Sequence, residues 1–268
     1  APKQKWSMAN QENPVEQCNK KVRALLNKLT LKNFPSISSQ ILEKLLASQN
    51  SNQDEIAKAI FEMIFKKSLD EHTFCEIYAQ LVKDILEKVA PPPEKAAWKA
   101  KADDRRAIFR RYLLEQCQES FDTTWPTMNN DEADSTVGKT EEVITPEPEM
   151  LTDAYYALEK QKRQRLGLVK LIGELFKLSI ITAKIVDYCF RQLLARNKGS
   201  ITEANIECSC ALLTKVGPKL ESEEATSLRL DQYMQRLTEI EEEEAPNSRT
   251  KFMILDLIDS RSSGWTNK

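Results

Sequence analysis

The side chains best suited to nucleophilic or metal chemistry in this 268-residue chain are one histidine, His72, and six cysteines, at 18, 75, 117, 189, 208 and 210. Their spacing supports neither chemistry. Only Cys208 and Cys210 lie close together, and a zinc centre needs three or four Cys and His donors in short pairs. A nucleophile needs a base beside it, and the single histidine follows acids at a helix start, a structural position. The stretch "DSTVGKT" (134–140) ends like a phosphate-binding loop, but Ala133 stands where the pattern needs its first glycine, and no strand precedes it. Carboxylates are abundant in acidic runs whose plain explanation is solvation. The chain reads as non-catalytic, with no metal and no cofactor.

The chemistry on offer is recognition. "NSRTKFMILDLIDSRSSGW" (247–265) reads as a helix. At about 100° per residue, Met253, Ile254, Leu255, Leu257, Ile258 and Trp265 share one broad face. Phe252 lies opposite, beside Asp256, Asp259 and Ser263, and Arg249 points nearly the same way. Aromatic and arginine side chains are frequent binding hot spots, and here no core can use them. The plainer alternative packs Phe252 beneath the acidic helix at 221–244. Trp6 is a second candidate anchor, alone in a polar, basic segment, with an unused terminal tryptophan as its alternative.

Residues 160–177 hold six Lys and Arg against one acid, with Lys160, Lys162, Arg163 and Arg165 close together. Such a run can track phosphates, although most charge runs are solvated helix faces. No stacking platform is evident beside it, so sequence-specific RNA readout is not expected. The acidic runs would make any RNA contact one-sided.

Helices must position these residues. Leu, Lys, Glu and Ala dominate, Gly numbers 6 and Pro 11, and 41% of residues are hydrophobic. That balance predicts an all-α protein with a real core. Apolar stripes recur at helical spacing in ten segments, paired at about 40–50 residues per pair, the period of HEAT-like repeats. The expectation is an α-solenoid of five helical hairpins over 14–265, with an irregular helical bundle as the alternative. A flexible segment (1–13) precedes it and a tail (266–268) follows. Phe74, Ile77, Tyr78, Leu81, Val82 and Ile85 form one predicted stripe. Gly167 and Gly173 suit close helix approach, and Gly217 reads as a helix stop. Residues 122–150 carry three Pro and many acids and read as a disordered acidic insertion. No apolar run is long enough for a membrane span, and the scattered cysteines read as reduced thiols of a cytosolic or nuclear protein.

Three stretches, "KVRALLNKLT" (21–30), "LVKLIGELFKLSIIT" (168–182) and the 247–265 segment, resemble in order and spacing the middle domain of eukaryotic translation initiation factor 4G, and "LDEHTFCEIYAQL" (69–81) fits the same pattern. The resemblance covers roughly residues 14–265. It implies five HEAT repeats forming a crescent, a cytoplasmic scaffold that binds the DEAD-box RNA helicase initiation factor 4A, holds its two RecA-like domains in a productive orientation and stimulates it. It also implies weak RNA binding, and contacts to other initiation factors through regions outside this fragment. Arg249, Lys251 and Phe252 match the family's segment for the helicase contact, and Trp6 resembles its anchor into the helicase's other domain. The rivals are a related scaffold of mRNA decay, splicing or nuclear cap binding with a different helicase, and a plain RNA-binding solenoid.

Overall fold

The computed structural model describes residues 14–47, 53–88, 96–125, 152–194, 201–244 and 247–265. Among them the chain is all-α, without a strand: α1 (Pro14–Leu26), α2 (Phe34–Ala47), α3 (Gln53–Asp70), a 3-10 turn (His72–Phe74), α4 (Cys75–Lys88), α5 (Ala96–Thr124), α6 (Asp153–Lys177), α7 (Ala183–Leu193), α8 (Glu203–Ser222), α9 (Glu224–Glu239), a π turn (Ile240–Glu244) and α10 (Ser248–Ser262). These elements form two compact units. The first takes in α1, α2, most of α3, the end of α4 and the start of α5. The second takes in the rest.

In the first unit, α1 and α2 pair as a hairpin. Val22, Leu26 and Leu29 meet the burial pattern of Ile37, Ile41, Leu42 and Leu45, as the 3.6-residue spacing requires. The turn between them is closed by the side chain of Asn33. Asn33 Oδ1 accepts from the Thr30 N–H at 2.7 Å, and Asn33 Nδ2 donates to the Lys28 carbonyl at 2.6 Å. Pro35 sits in the first turn of α2, where its missing N–H costs nothing. Phe61 and Phe109, both buried, meet at 5.6 Å between ring centroids.

The second unit is layered. Helices α6, α8 and α10 lie side by side, α7 and α9 lie side by side, and consecutive helices pack as hairpins. Helix α5 joins the α7 and α9 layer through a repeated device. Tyr188 on α7 donates to Asp122 on α5, and Tyr233 on α9 donates to Asp187 on α7 at 2.6 Å. Each bond is accompanied by an aromatic contact, Phe121 with Tyr188 at 6.1 Å and Phe190 with Tyr233 at 4.4 Å. Each phenol thus packs its ring on a neighbouring aromatic and satisfies its hydroxyl, and the Tyr233 ring is buried as well. In the other layer, Gly167 of α6 lies so near the Leu69 backbone that a β-carbon would come within 2.4 Å of that carbonyl oxygen. Gly173 faces Lys215 of α8 in the same way, so both glycines serve the close approach expected of them.

Three expectations are corrected. Residues 122–125 belong to the fold rather than to the acidic insertion: α5 continues to Thr124, and Trp125 is buried against Phe121, its indole N–H donating to Asn205 at 2.9 Å. The rest of the expected insertion lies outside the described residues, as do residues 1–13 and 266–268. Gly217 does not stop α8, which runs through it and Pro218 to Ser222, because the space beside this glycine holds the ring of Trp265. Phe74 is 43% exposed, since it belongs to the 3-10 turn before α4 and not to the helical stripe.

Candidate docking face on the last hairpin

Asn247 caps α10, its Oδ1 accepting from the Thr250 N–H at 2.9 Å. An Asn cap of this kind satisfies one of the four free amides at a helix start. The cap sets the rotation of the helix. Thr250, Ile254 and Leu257 turn inward and are buried. Arg249, Lys251, Phe252, Asp256 and Asp259 turn outward. Phe252 is 64% exposed, so it does not pack beneath the 221–244 segment. Leu255, expected inside, is 37% exposed and widens the apolar patch around Phe252. The buried arc is therefore narrower than the sequence spacing predicts.

Two carboxylates on the first turns of α8 hold Arg249. Its guanidinium lies 2.5 Å from Glu203 and 3.5 Å from Glu207. Glu203 also accepts from Asn247 Nδ2 at 3.2 Å, so one carboxylate ties both the cap and the arginine of α10 to the start of α8. Exposed pairs contribute little stability singly. Here they fix direction, holding the guanidinium against the start of α8. Lys251, on the same outward side, is also paired. Its ammonium lies 2.9 Å from Glu241, fastening α10 to the preceding π turn.

The structure does not bring the remaining predicted site residues to this face. Trp6 lies outside the described residues. Lys160, Lys162 and Arg163 are exposed on α6, and Lys162 pairs with Glu159 at 3.3 Å. Arg165 is half-buried, 5.9 Å over the Trp125 ring, and so packs inward instead of joining the exposed run. An aromatic neighbour does stand beside the basic run. Tyr156, 56% exposed, precedes Lys160 by four residues and Arg163 by seven, on one helix face. That spacing was visible in the sequence.

Burial pushes the Cys117 thiol up to about 12, and burial with nearby Glu207 does the same to Cys210. A cavity of about 530 Å³ between α9 and α10 is lined by Met234, Ile258 and Arg261, but Arg261 is already engaged by Glu221 and Asp231, at 3.1 and 2.5 Å.

Stacked helical hairpins that present a fixed arginine and an exposed aromatic define a helical scaffold. The chain belongs to the MIF4G domain family, whose pattern matches residues 19–264. It is 36% identical over 261 residues to eukaryotic translation initiation factor 4 gamma of Schizosaccharomyces pombe, covering 95% of this chain and 18% of that protein. It is 33% identical over 255 residues to the eukaryotic initiation factor 4F subunit p150 of Saccharomyces cerevisiae, covering 92% and 26%. To the human eukaryotic translation initiation factor 4 gamma 3 it is 32% identical over 261 residues, covering 95% and 15%. The chain therefore spans about a quarter or less of the length of these relatives. The crystal structure of the MIF4G domain of Trypanosoma cruzi translation initiation factor EIF4G5 shares the fold, with a TM-score of 0.54 at 16% identity over 93% of this chain and 97% of that one.

Proposed function

We propose that this chain is a non-catalytic scaffold of translation initiation, working in the cytoplasm, that binds the DEAD-box RNA helicase initiation factor 4A. The observation that carries this reading is the pairing of Phe252, exposed on α10, with Arg249, held in place by Glu203 and Glu207. A large apolar ring costs free energy in water and gains it in a partner's pocket. An arginine already ordered by neighbouring acids loses less side-chain entropy on binding. Similarity to initiation factors in three organisms supports the choice of partner.

A scaffold stimulates a two-domain helicase only by contacting its productive arrangement better than its open one. Phe252 and Arg249 grip one helicase domain, and Trp6 is the anchor for the other. Lys160, Lys162 and Arg163 add weak, salt-sensitive attraction to RNA phosphates, independent of sequence. Adding the chain to purified factor 4A with ATP and RNA tests the reading. Phosphate release should rise and saturate with added chain. An unchanged rate over a range in which the chain is folded would refute it.

A further inference from the structure

The exposed aromatic at the other end of the same layer is Phe74. It belongs to the 3-10 turn that packs on α6, and α6, α8 and α10 follow as successive neighbours. A row of charged side chains joins the two ends. His72 Nδ1 lies 3.4 Å from the Lys170 ammonium on α6. Arg163 of α6 and Glu207 of α8 lie within electrostatic reach of the same imidazole. Glu207 and Glu203 then bond Arg249, which precedes Phe252 by three residues. Taken element by element from the 3-10 turn to α10, the side chains run aromatic, basic, acidic, basic, aromatic.

We propose that this edge is one continuous docking surface, from Phe252 on α10 across α8 and α6 to Phe74, and that the partner lobe which takes Phe252 takes Phe74 as a second apolar anchor. The inference rests on the reading of Phe252 as a contact residue. Three neighbouring steps of about 8–10 Å each give an edge of about 25–30 Å. A standard interface buries about 800 Å² on each partner, a patch of similar width. One folded lobe of a protein therefore fits the edge. Two carboxylates share one guanidinium at the α10 end of this row, which leaves that end net negative beside the basic side chains of α6. The matching lobe carries a basic side chain opposite Glu207, acidic side chains opposite Arg163 and Lys170, and an apolar pocket at each end. This basic-to-acidic polarity selects one orientation, because a reversed lobe would set its basic side chain against Arg163 and Lys170.

The test is affinity for purified factor 4A without RNA, measured for the intact chain, Phe74→Ala, Phe252→Ala and Arg163→Glu, each with a thermal melt. The proposal expects Phe74→Ala to weaken binding at least about tenfold at an unchanged melting temperature. If Phe74→Ala melts early, Arg163→Glu decides, and it should also weaken binding about tenfold. If Phe252→Ala weakens binding while the deciding variant stays within twofold of the intact chain, the extended edge is refuted and the α10 contact stands. If neither end matters, both readings fall.

Discussion

The ring of Trp265 occupies the space beside Gly217 that any other residue would fill with its β-carbon, the two lying within 2.2 Å if one were added. Trp265 reaches that position through a left-handed turn, with Gly264 and Trp265 both at positive φ. Its indole N–H then donates to Glu221 of α8. This contact closes the end of α10 onto α8. Gly217→Ala should destabilise the fold by about 1–3 kcal/mol, the usual range for forcing an extra carbon into a packed site. In a Trp265→Ala background the same substitution should cost far less, because the clashing ring is gone. A double-mutant cycle by thermal or urea unfolding checks this, and simple additivity would argue against the contact.

Glu174 is buried to 2% exposure between Lys177 and Lys215, at 2.8 and 2.7 Å. Its pairing with Lys215 joins α6 to α8. Removing the carboxylate leaves two ammonium groups near the interior, though both can still reach water. Glu174→Ala should therefore cost about 2–3 kcal/mol, and Lys177→Ala or Lys215→Ala alone less, because one cation remains. Equilibrium unfolding of the three variants gives the order.

Five of the six cysteines are buried, and Cys18 is the exception. Burial pushes Cys75, Cys117, Cys208 and Cys210 up to about 12, and Cys189 is raised as well. A raised thiol pKa lowers the reactive thiolate at every working pH. At pH 8 a thiol titrating near 12 is about 0.01% thiolate. Desolvation raises the Cys18 thiol too, but it is only half-buried, so the native chain should label first at this one site with a colorimetric disulfide reagent, and at all six after unfolding. Rapid native labelling of three or more thiols would contradict the packing.

Helical spacing alone placed Phe252 outside and Ile254 and Leu257 inside, because a one-sided helix must show its burial every three to four residues. The same reasoning put Leu255 inside and overdrew the buried arc, since neighbouring helices decide how wide a face is covered. It also extended a stripe to Phe74, not anticipating the tight turn before Cys75. The partners of Arg249 were out of its reach. Glu203 and Glu207 stand more than forty positions away, and no local pattern marks which acids on α8 will meet α10. Gly217 read as a stop for a related reason: a glycine that ends a helix and one that admits a distant tryptophan look alike in one dimension. The Tyr188 and Tyr233 bonds to Asp122 and Asp187 repeat from hairpin to hairpin, but a pair of residues per repeat is too sparse a signal to find unaided.

The most direct measurement of the central claim is the affinity of Phe252→Ala for factor 4A beside that of the intact chain. The ring is exposed and supports no described packing, so the variant should fold and melt normally while losing about 2–4 kcal/mol of binding. A folded variant that binds with unchanged affinity would contradict the account.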